Sequence, residues 1–485
     1  MVTDESEVVK LSNPRNVKTP SLRVVFARVR WIGVAAGLWV LAVSSPVAAH
    51  GTGSRTDLPL PAWQMAWAAA FSVIVSFVAL GTYWEKPRLS AAAHGRRFLK
   101  IDSPLSKPIS VLLRFIGLGL FAVVLAAAWW GNTAPLANFA PTAFLIWFWV
   151  GVQLLSVLLG DIYRAFNPYV TIADACAWLK AKWSKVPLTE EAIGANRYAL
   201  WLAVATISAY LWYELAYHST DSPRALAIFL TVYSLVMLGG AVLFGRAWVR
   251  GADGFAVLFQ KISMLAPVYR GDDRFLRVRP PLSGLSTLRV NTYGSALILI
   301  VLGATTFDGF TRSSFWLDLA AEYNSWAATF VNTAGLIAIV ALVGLLYLLA
   351  MRAMAALCGD PMKELANTFA PTLIPIVVAY AIAHYFSTVL LDGQVIINLL
   401  SDPFGRGWNI FGTRNYAINW TLVTPRQIAW VQAGSIALGH VLAVAAAHDL
   451  AIERYPRATA LRSQYPMLTV MVAYTVIGLL LLLGT

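Results

Sequence analysis

Apolar segments of about 20 residues recur along the whole 485-residue chain, and they constrain its fold more than any other feature. A helix of about 20 apolar residues crosses the ~30 Å hydrocarbon core of a bilayer. Only 13% of the residues are charged, whereas soluble domains average about 25%. A soluble core cannot enclose this much apolar surface, so the sequence predicts an all-α, polytopic transmembrane helical bundle.

We predict about ten spanning helices after an N-terminal signal or anchor segment. The apolar segments follow one another closely, so residues 50–485 are expected to form a single multi-pass domain. The predicted spans are 63–83, 109–130, 142–159, 198–217, 224–245, 294–308, 328–350, 368–391, 427–447 and 467–484.

The first 49 residues have the pattern of an export signal. A basic region ends at Arg30, an apolar run follows from Trp31 to Val43, and small residues stand at Val47-Ala48-Ala49. This pattern is typical of a signal-peptidase site, and cleavage would leave His50 at the mature N-terminus. The alternative is an uncleaved signal anchor.

Lysine and arginine are distributed unevenly between the two sets of loops. Thirty of the 37 fall on the side of the N-terminus, six fall on the other side, and Arg114 lies inside a helix. Basic loops remain in the cytoplasm, so we predict a plasma (inner) membrane protein with a cytoplasmic N-terminus and an outside C-terminus. The same distribution explains the net charge of +13 with the bilayer as the partner and without nucleic acid.

Two of the predicted cytoplasmic loops are long and contain amphipathic stretches, near 160–197 and 246–293. Apolar and polar residues alternate in them at roughly helical spacing. We expect these segments to lie flat at the level of the lipid headgroups.

A few polar side chains interrupt the apolar segments, and they are the candidate catalytic residues: His384, His440, Asp308 and Glu214. Such groups are costly in lipid, so they usually face the bundle interior and often serve a function. Their positions along the predicted helices put all four in the outer half of the bundle. The alternatives are core histidines with satisfied hydrogen bonds, close helix packing around His440, and a Glu214–His218 pair at the interface.

The same residues suggest a metal. We expect His384 and His440 as ligands, with His50 on the same side if the signal is cleaved. An N-terminal histidine offers its amine and its imidazole together, which suits copper. The predicted cofactor is therefore a divalent metal ion or copper.

The chain contains the stretches HGTGSRTDLPLP from His50, GDIYRAFNPY from Gly160, TTFDGF from Thr305, AHYF from Ala383, SDPFGRGWNIFGT from Ser401 and LGHVLAVAAAHD from Leu438. With these stretches the chain resembles the fenitrothion hydrolase family of bacterial multi-pass membrane proteins.

The resemblance implies a metal-assisted hydrolase of organophosphate-like esters. A metal would activate the attacking water and polarise the phosphoryl group, and a site within the bilayer would suit an apolar small molecule. The alternative is a non-enzymatic transporter or copper-handling protein, in which the same polar groups line a path for an ion or a proton. The sequence leaves open whether the chain is an enzyme.

Overall fold

The computed structural model describes residues 59–100, 106–183, 197–271 and 273–483. These residues form an all-α bundle with one small sheet; the predicted export signal and His50 lie outside them. The helices are α1 (Ala62–Tyr83), α2 (Leu89–Ala92), α3 (Ser106–Trp130), α4 (Phe139–Leu159), α5 (Tyr163–Phe166), α6 (Pro168–Trp183), α7 (Arg197–Leu215), α8 (Pro223–Phe244), α9 (Arg246–Ala252), α10 (Gly254–Ile262), α11 (Thr292–Phe310), α12 (Ser314–Ala321), α13 (Ser325–Cys358), α14 (Met362–Phe369), α15 (Ile374–Leu390), α16 (Val395–Ser401), α17 (Pro425–Arg454), α18 (Arg457–Ser463) and α19 (Tyr465–Leu483).

Nine helical units among the described residues are long and apolar enough to cross a membrane: α1, α3, α4, α8, α11, α13, α14–α15, α17 and α18–α19. The tenth predicted segment, 198–217, is also helical and forms α7. Its apolar part, Ala199–Leu215, is shorter than the other spans. The prediction of a multi-pass helical membrane protein is confirmed.

The helix predicted at 368–391 is interrupted, as its two prolines suggest. A 3-10 turn over Ala370–Leu373 separates α14 from α15, and it contains Pro371. Proline has no backbone N–H and its ring crowds the preceding turn, so a regular α-helix cannot continue through it. Helix α15, which carries His384, therefore begins anew after this turn.

Helices α15 and α17 pack closely along each other, and Gly439 makes this possible. A Cβ atom at Gly439 would lie 2.2 Å from the Cβ atom of Ala379 and 2.9 Å from the carbonyl oxygen of Pro375. Small residues let helix backbones approach in a membrane, where van der Waals packing replaces the hydrophobic effect. This contact fixes α15 in the bundle.

One end of the bundle, here named the basic end, gathers the loops predicted to be cytoplasmic. Residues 84–90 meet the last turns of α17, where Asp449 accepts hydrogen bonds from Trp84 Nε1 and the backbone N–H of Arg88. The end of α17 also contacts the loop after α13, through an ion pair of 2.9 Å between Arg454 and Asp360.

The opposite end gathers the loops of the other set. The N–H of Asn132 donates to the carbonyl of Phe404 at 2.9 Å, and Arg224 donates to the carbonyl of Trp129 at 2.7 Å. The predicted division of the loops into two groups therefore agrees with these contacts. Which face of the membrane each end meets stays a prediction.

A small antiparallel sheet lies at the basic end, in loops where the sequence analysis placed no strand. Its strands are β1 (Arg96–Lys100), β2 (Val268–Arg270) and β3 (Phe275–Val278), in the order β1-β3-β2. The strands are only three to five residues long, and β1 pairs with β3 across about 180 residues of sequence. A local pattern cannot indicate such a pairing.

The first part of the loop 246–293 folds back into the bundle. Helices α9 and α10 form a hairpin against α7, and Asp253 at its turn accepts a hydrogen bond of 2.7 Å from Tyr233, midway along α8. Phe259 on α10 is fully buried. We expected this segment to lie flat at the headgroups; instead its apolar face is covered by neighbouring helices.

Candidate functional site

The predicted site residues lie on four different helices of the bundle. Glu214 is near the end of α7, Asp308 is near the end of α11, His384 is in the second half of α15, and His440 is at the middle of α17. The first three lie toward the end opposite the basic end. The structure brings these three together.

Asp308 and His384 are direct neighbours. The Oδ2 atom of Asp308 lies 3.0 Å from Nε2 of His384, and the two side chains are only 14% and 7% exposed. Tyr380, one turn before His384, donates its hydroxyl to the same Oδ2 atom at 3.1 Å and lies 3.3 Å from Nδ1 of the ring. The spacing of four residues on one helix face, visible in the sequence, therefore places both α15 side chains on one carboxyl group.

Arg312 completes this cluster, and the sequence analysis missed it. Its Nη2 atom lies 3.1 Å from Nε2 of His384, the same ring nitrogen that faces Asp308. Arg312 was counted only as a basic residue of a loop. Its position four residues after Asp308, where the helix ends in a turn, was the signal that could have identified it.

The nitrogen Nε2 of His384 thus faces a carboxyl oxygen and a guanidinium N–H at similar distances. A ring nitrogen that carries a proton donates to Asp308, and one without a proton accepts from Arg312. It cannot do both, so the position of one proton decides which contact is a hydrogen bond. The arrangement is suited to holding a proton that can leave.

Glu214 lies near this cluster and is hydrogen-bonded to a different tyrosine. Tyr385, the residue after His384, donates its hydroxyl to Oε1 of Glu214 at 2.7 Å. The alternative partner, His218, instead contacts the hydroxyl of Thr329 at 2.9 Å. Tyr385 was not predicted, because a pairing across 171 residues leaves no local signal in the sequence.

Glu214 and Asp308 share one small cavity of about 20 Å³, which is large enough for a single water molecule. Its polar lining also includes Trp149, Gln153 and Thr305. Trp149 belongs to a π-helical stretch of α4, Thr142–Gly151. Such stretches are rare and are frequently found at functional sites.

Two buried donors beside Glu214 lack a hydrogen-bond partner among the described atoms. They are the indole Nε1 of Trp149 and the hydroxyl of Tyr210, and both lie close to the Glu214 carboxyl. An unmatched buried donor costs about 1–3 kcal/mol, so such groups usually meet a water molecule. Of these two residues only Trp149 lines the cavity, so its indole N–H is the unmatched donor that a bound water molecule would meet there.

His440 has other partners. Its Nδ1 atom lies 2.8 Å from the carbonyl oxygen of Ile436, which can only accept, so this nitrogen carries the ring proton. Its Nε2 atom is buried without a described partner, and the ring packs against Tyr474 at 5.9 Å. Neither contact involves Asp308, Glu214 or His384, and a site that His384 and His440 share stays a prediction.

The described part of the chain holds no group of three or more His, Cys, Asp or Glu side chains close enough to bind one metal ion. Structural and catalytic zinc sites usually have at least three protein ligands. His50 lies outside the described residues, so a metal held by His50, His384 and His440 also stays a prediction. The cluster seen in the bundle is a histidine, two carboxyl groups, an arginine and two tyrosines.

Comparison of the chain with models of protein families, with curated proteins and with solved structures gave no match in any of the three. The resemblance to the fenitrothion hydrolase family therefore stays an expectation from the sequence.

Proposed function

We propose that this chain is a membrane protein of the transporter class in which the Asp308–His384 pair binds and releases a proton. One observation carries the proposal: Nε2 of His384 lies 3.0 Å from Asp308 Oδ2 and 3.1 Å from Arg312 Nη2. Ionisable groups inside membrane helices are expensive and usually mark ion or proton paths.

The proton-loaded form has one proton between Oδ2 and Nε2. Asp308 and His384 are then joined by a hydrogen bond, while Arg312 has no hydrogen-bond acceptor at the ring. In the unloaded form that proton has left, and an N–H of Arg312 supplies the hydrogen to Nε2 instead. The positive charge of Arg312 then offsets the negative charge that remains on Asp308.

Glu214 is the next proton acceptor in this scheme. The cavity of about 20 Å³, which Glu214 and Asp308 both line, has room for one water molecule, and Trp149 Nε1 on its wall is a donor without another partner among the described residues. A proton released by the Asp308–His384 pair can pass through that water to Glu214. Tyr385 holds the Glu214 carboxyl in place by its 2.7 Å hydrogen bond.

Ester hydrolysis at the same cluster has less support. A cavity that holds one water molecule has no room for a phosphotriester beside the carboxyl groups. The described residues also supply no three-ligand set for the metal that would activate the water. We therefore propose the transport class, which was the alternative in the sequence analysis.

We also propose that the protein lies in the plasma membrane with the basic end in the cytoplasm. The asymmetry of 30 against six basic residues supports this orientation. The proton-binding cluster then lies in the outer half of the bilayer, and the C-terminus is outside.

The experiment is proton flux in liposomes that contain the purified protein and a pH-sensitive dye. An imposed pH gradient should dissipate faster with the protein than without it. Asp308→Asn and His384→Gln should each abolish this difference, because asparagine and glutamine do not titrate.

His218→Gln is the matched control. His218 is exposed near the same end, and its ring contacts Thr329 and not the cluster. The variant should keep the flux of the unaltered protein. Equal flux from the Asp308→Asn protein, with unchanged folding, would refute the proposed function.

A further inference from the structure

The π-helical part of α4 separates the small cavity beside Glu214 and Asp308 from a second, larger cavity. This cavity has a volume of about 330 Å³, which is in the range of ligand pockets. Trp149 lines the small cavity. The larger cavity is lined by four other residues of the same stretch, Ala143, Phe144, Trp147 and Phe148. Helices α3, α6, α8, α10 and α16 supply most of the remaining walls.

The cavity extends from one end of the spanning helices to their middle. Phe139, the first residue of α4, and Leu400 of α16 lie at its upper limit. Phe148 and Tyr233, which lie at the midpoints of α4 and α8, belong to its lower part. Phe139 and Phe148 are nine residues apart, which is a rise of at most about 14 Å at 1.5 Å per residue and is comparable to one leaflet of a ~30 Å hydrocarbon core.

The polar groups of the cavity floor are turned away from the cavity or already paired. Tyr233 and Tyr163 donate their hydroxyls to Asp253, at 2.7 and 3.3 Å. Tyr169 shares a hydrogen bond of 3.1 Å with Ser234. An occupant therefore finds hydrocarbon and aromatic rings on all described sides, and it gains nothing from a polar group of its own at this depth.

Asp253 holds this floor in place. It is fully buried, and besides the two tyrosines it accepts hydrogen bonds from Asn167 and from the backbone N–H groups of Phe255 and Ala256. Five donors satisfy the hydrogen-bonding capacity of this buried carboxylate, so the side chains that form the floor of the cavity are held in fixed positions.

The cavity is open toward the surface that faces lipid. Its rim residues Leu120, Leu400 and Trp147 are 48%, 44% and 41% exposed, although they belong to apolar spanning or adjoining helices. An occupant can therefore enter sideways from the bilayer without crossing water.

We propose that this cavity binds one hydrocarbon chain of a membrane phospholipid from the leaflet at the end opposite the basic end. The match of depth to one leaflet, the apolar lining and the lateral opening all favour a lipid chain over a polar solute. The proposal does not depend on proton transfer, because the two cavities lie on different faces of α4.

The test uses the whole protein in bilayers made of a phospholipid with a photoreactive diazirine at the end of one acyl chain. After irradiation, the labelled residues are mapped by mass spectrometry. We expect labels on the cavity floor, at Phe148, Phe166 and Tyr233, because the end of the chain reaches the midplane. Labels confined to the outer surface of α3, at Phe115 and Gly119, would overturn the proposal.

A pair of variants checks the same point. Ala143→Phe fills the cavity and should lose the floor label. Gly119→Phe adds the same side chain where a Cβ meets nothing within 4 Å, on the exposed face of α3, and should keep it. An Ala143→Phe protein that melts normally and keeps the floor label would contradict the proposal. If Ala143→Phe fails to fold, the map of the unaltered protein decides.

Discussion

Asp308 on α11 and His384 on α15 lie 3.0 Å apart between Oδ2 and Nε2, with Arg312 on the other side of the same ring nitrogen. The pair is buried and joined by Tyr380. Interacting groups of this kind take up and release protons as a unit and not as independent residues. Variants should therefore change how readily Nε2 of His384 exchanges its hydrogen bond to Asp308 for one from Arg312.

Replacing Arg312 tests this balance. Arg312→Gln removes the positive charge that offsets Asp308 in the unloaded form, so the pair should hold its proton more firmly. We expect slower proton flux, and release only at a higher pH than in the unaltered protein. Flux measured as a function of pH in liposomes checks both expectations.

The control for Arg312→Gln is Arg426→Gln. Arg426 is an exposed residue of the same end, at the start of α17, and its loss removes one charge without touching the cluster. If the two variants shift the pH profile equally, the effect comes from the overall field, and the specific role of Arg312 is wrong.

Gly439→Ala should destabilise the bundle. The added Cβ would lie 2.2 Å from the Cβ of Ala379 and 2.9 Å from a backbone oxygen, so α15 and α17 must move apart. Overpacking of this kind costs about 1–3 kcal/mol. The melting temperature in detergent should fall, and proton flux should fall with it as His384 shifts.

Gly434→Ala is the matched control on the same helix. A Cβ there has open space within 4 Å, and alanine is the better helix former by about 1 kcal/mol. Its melting temperature should stay the same or rise. A similar loss of stability in both variants would show that close packing at Gly439 is not the cause.

The sheet at the basic end should respond to acid. A hydrogen bond of 2.7 Å from Arg277 lowers the pKa of Asp273 to about 2, with Arg97 adding an ion pair at 3.0 Å. Because this pKa lies below the ordinary value of about 3.9, the contribution is complete above about pH 4 and is lost as the pH falls toward 2.

Hydrogen exchange of the β1 amides should therefore speed up, relative to the intrinsic rate, between about pH 4 and 2. Asp273→Asn should show the faster exchange already at neutral pH. The global melting temperature should hardly change, because exposed ion pairs contribute little to stability. Unchanged β1 exchange in Asp273→Asn would show that this carboxylate does not hold the sheet.

The proposed orientation predicts which loops an impermeant thiol reagent reaches in intact cells. A cysteine at position 406 should react from outside, and cysteines at positions 96 and 274 should react only after the cells are opened. The native Cys176 and Cys358 must first be replaced, because both are free thiols. Reaction at position 96 but not at 406 would reverse the orientation.

Much of the fold follows from the sequence, because each membrane crossing requires its own apolar segment of fixed length. All ten predicted segments are helices, and the break at Pro371 follows from its missing N–H. The inward hairpin at Asp253 was not predicted. Its amphipathic pattern fits equally well a helix on the membrane surface and a helix covered by α7, and only the packing distinguishes the two.

The two carboxyl groups and the histidine of the cluster could be picked out from the sequence, whereas Arg312 and Tyr385 could not. Glu214, Asp308 and His384 are conspicuous because an ionisable group in an apolar segment is costly in lipid and usually has a function. Tyr385 is an ordinary interface tyrosine by sequence, and only the structure shows its bond to Glu214. Arg312 lies just beyond an apolar segment, where an arginine is unremarkable until the chain turns it back onto His384.

The nitrogen-15 NMR spectrum of His384 in bilayers tests the central claim most directly. Its signal is assigned by comparison with His384→Gln, and the state of each ring nitrogen is followed from about pH 5 to 8, where a proton-handling site works. We predict that Nε2 shares a proton with Asp308 near pH 5 and has lost this proton near pH 8. Asp308→Asn should abolish this change. An Nε2 signal that stays constant over the whole range in which flux occurs would contradict the account.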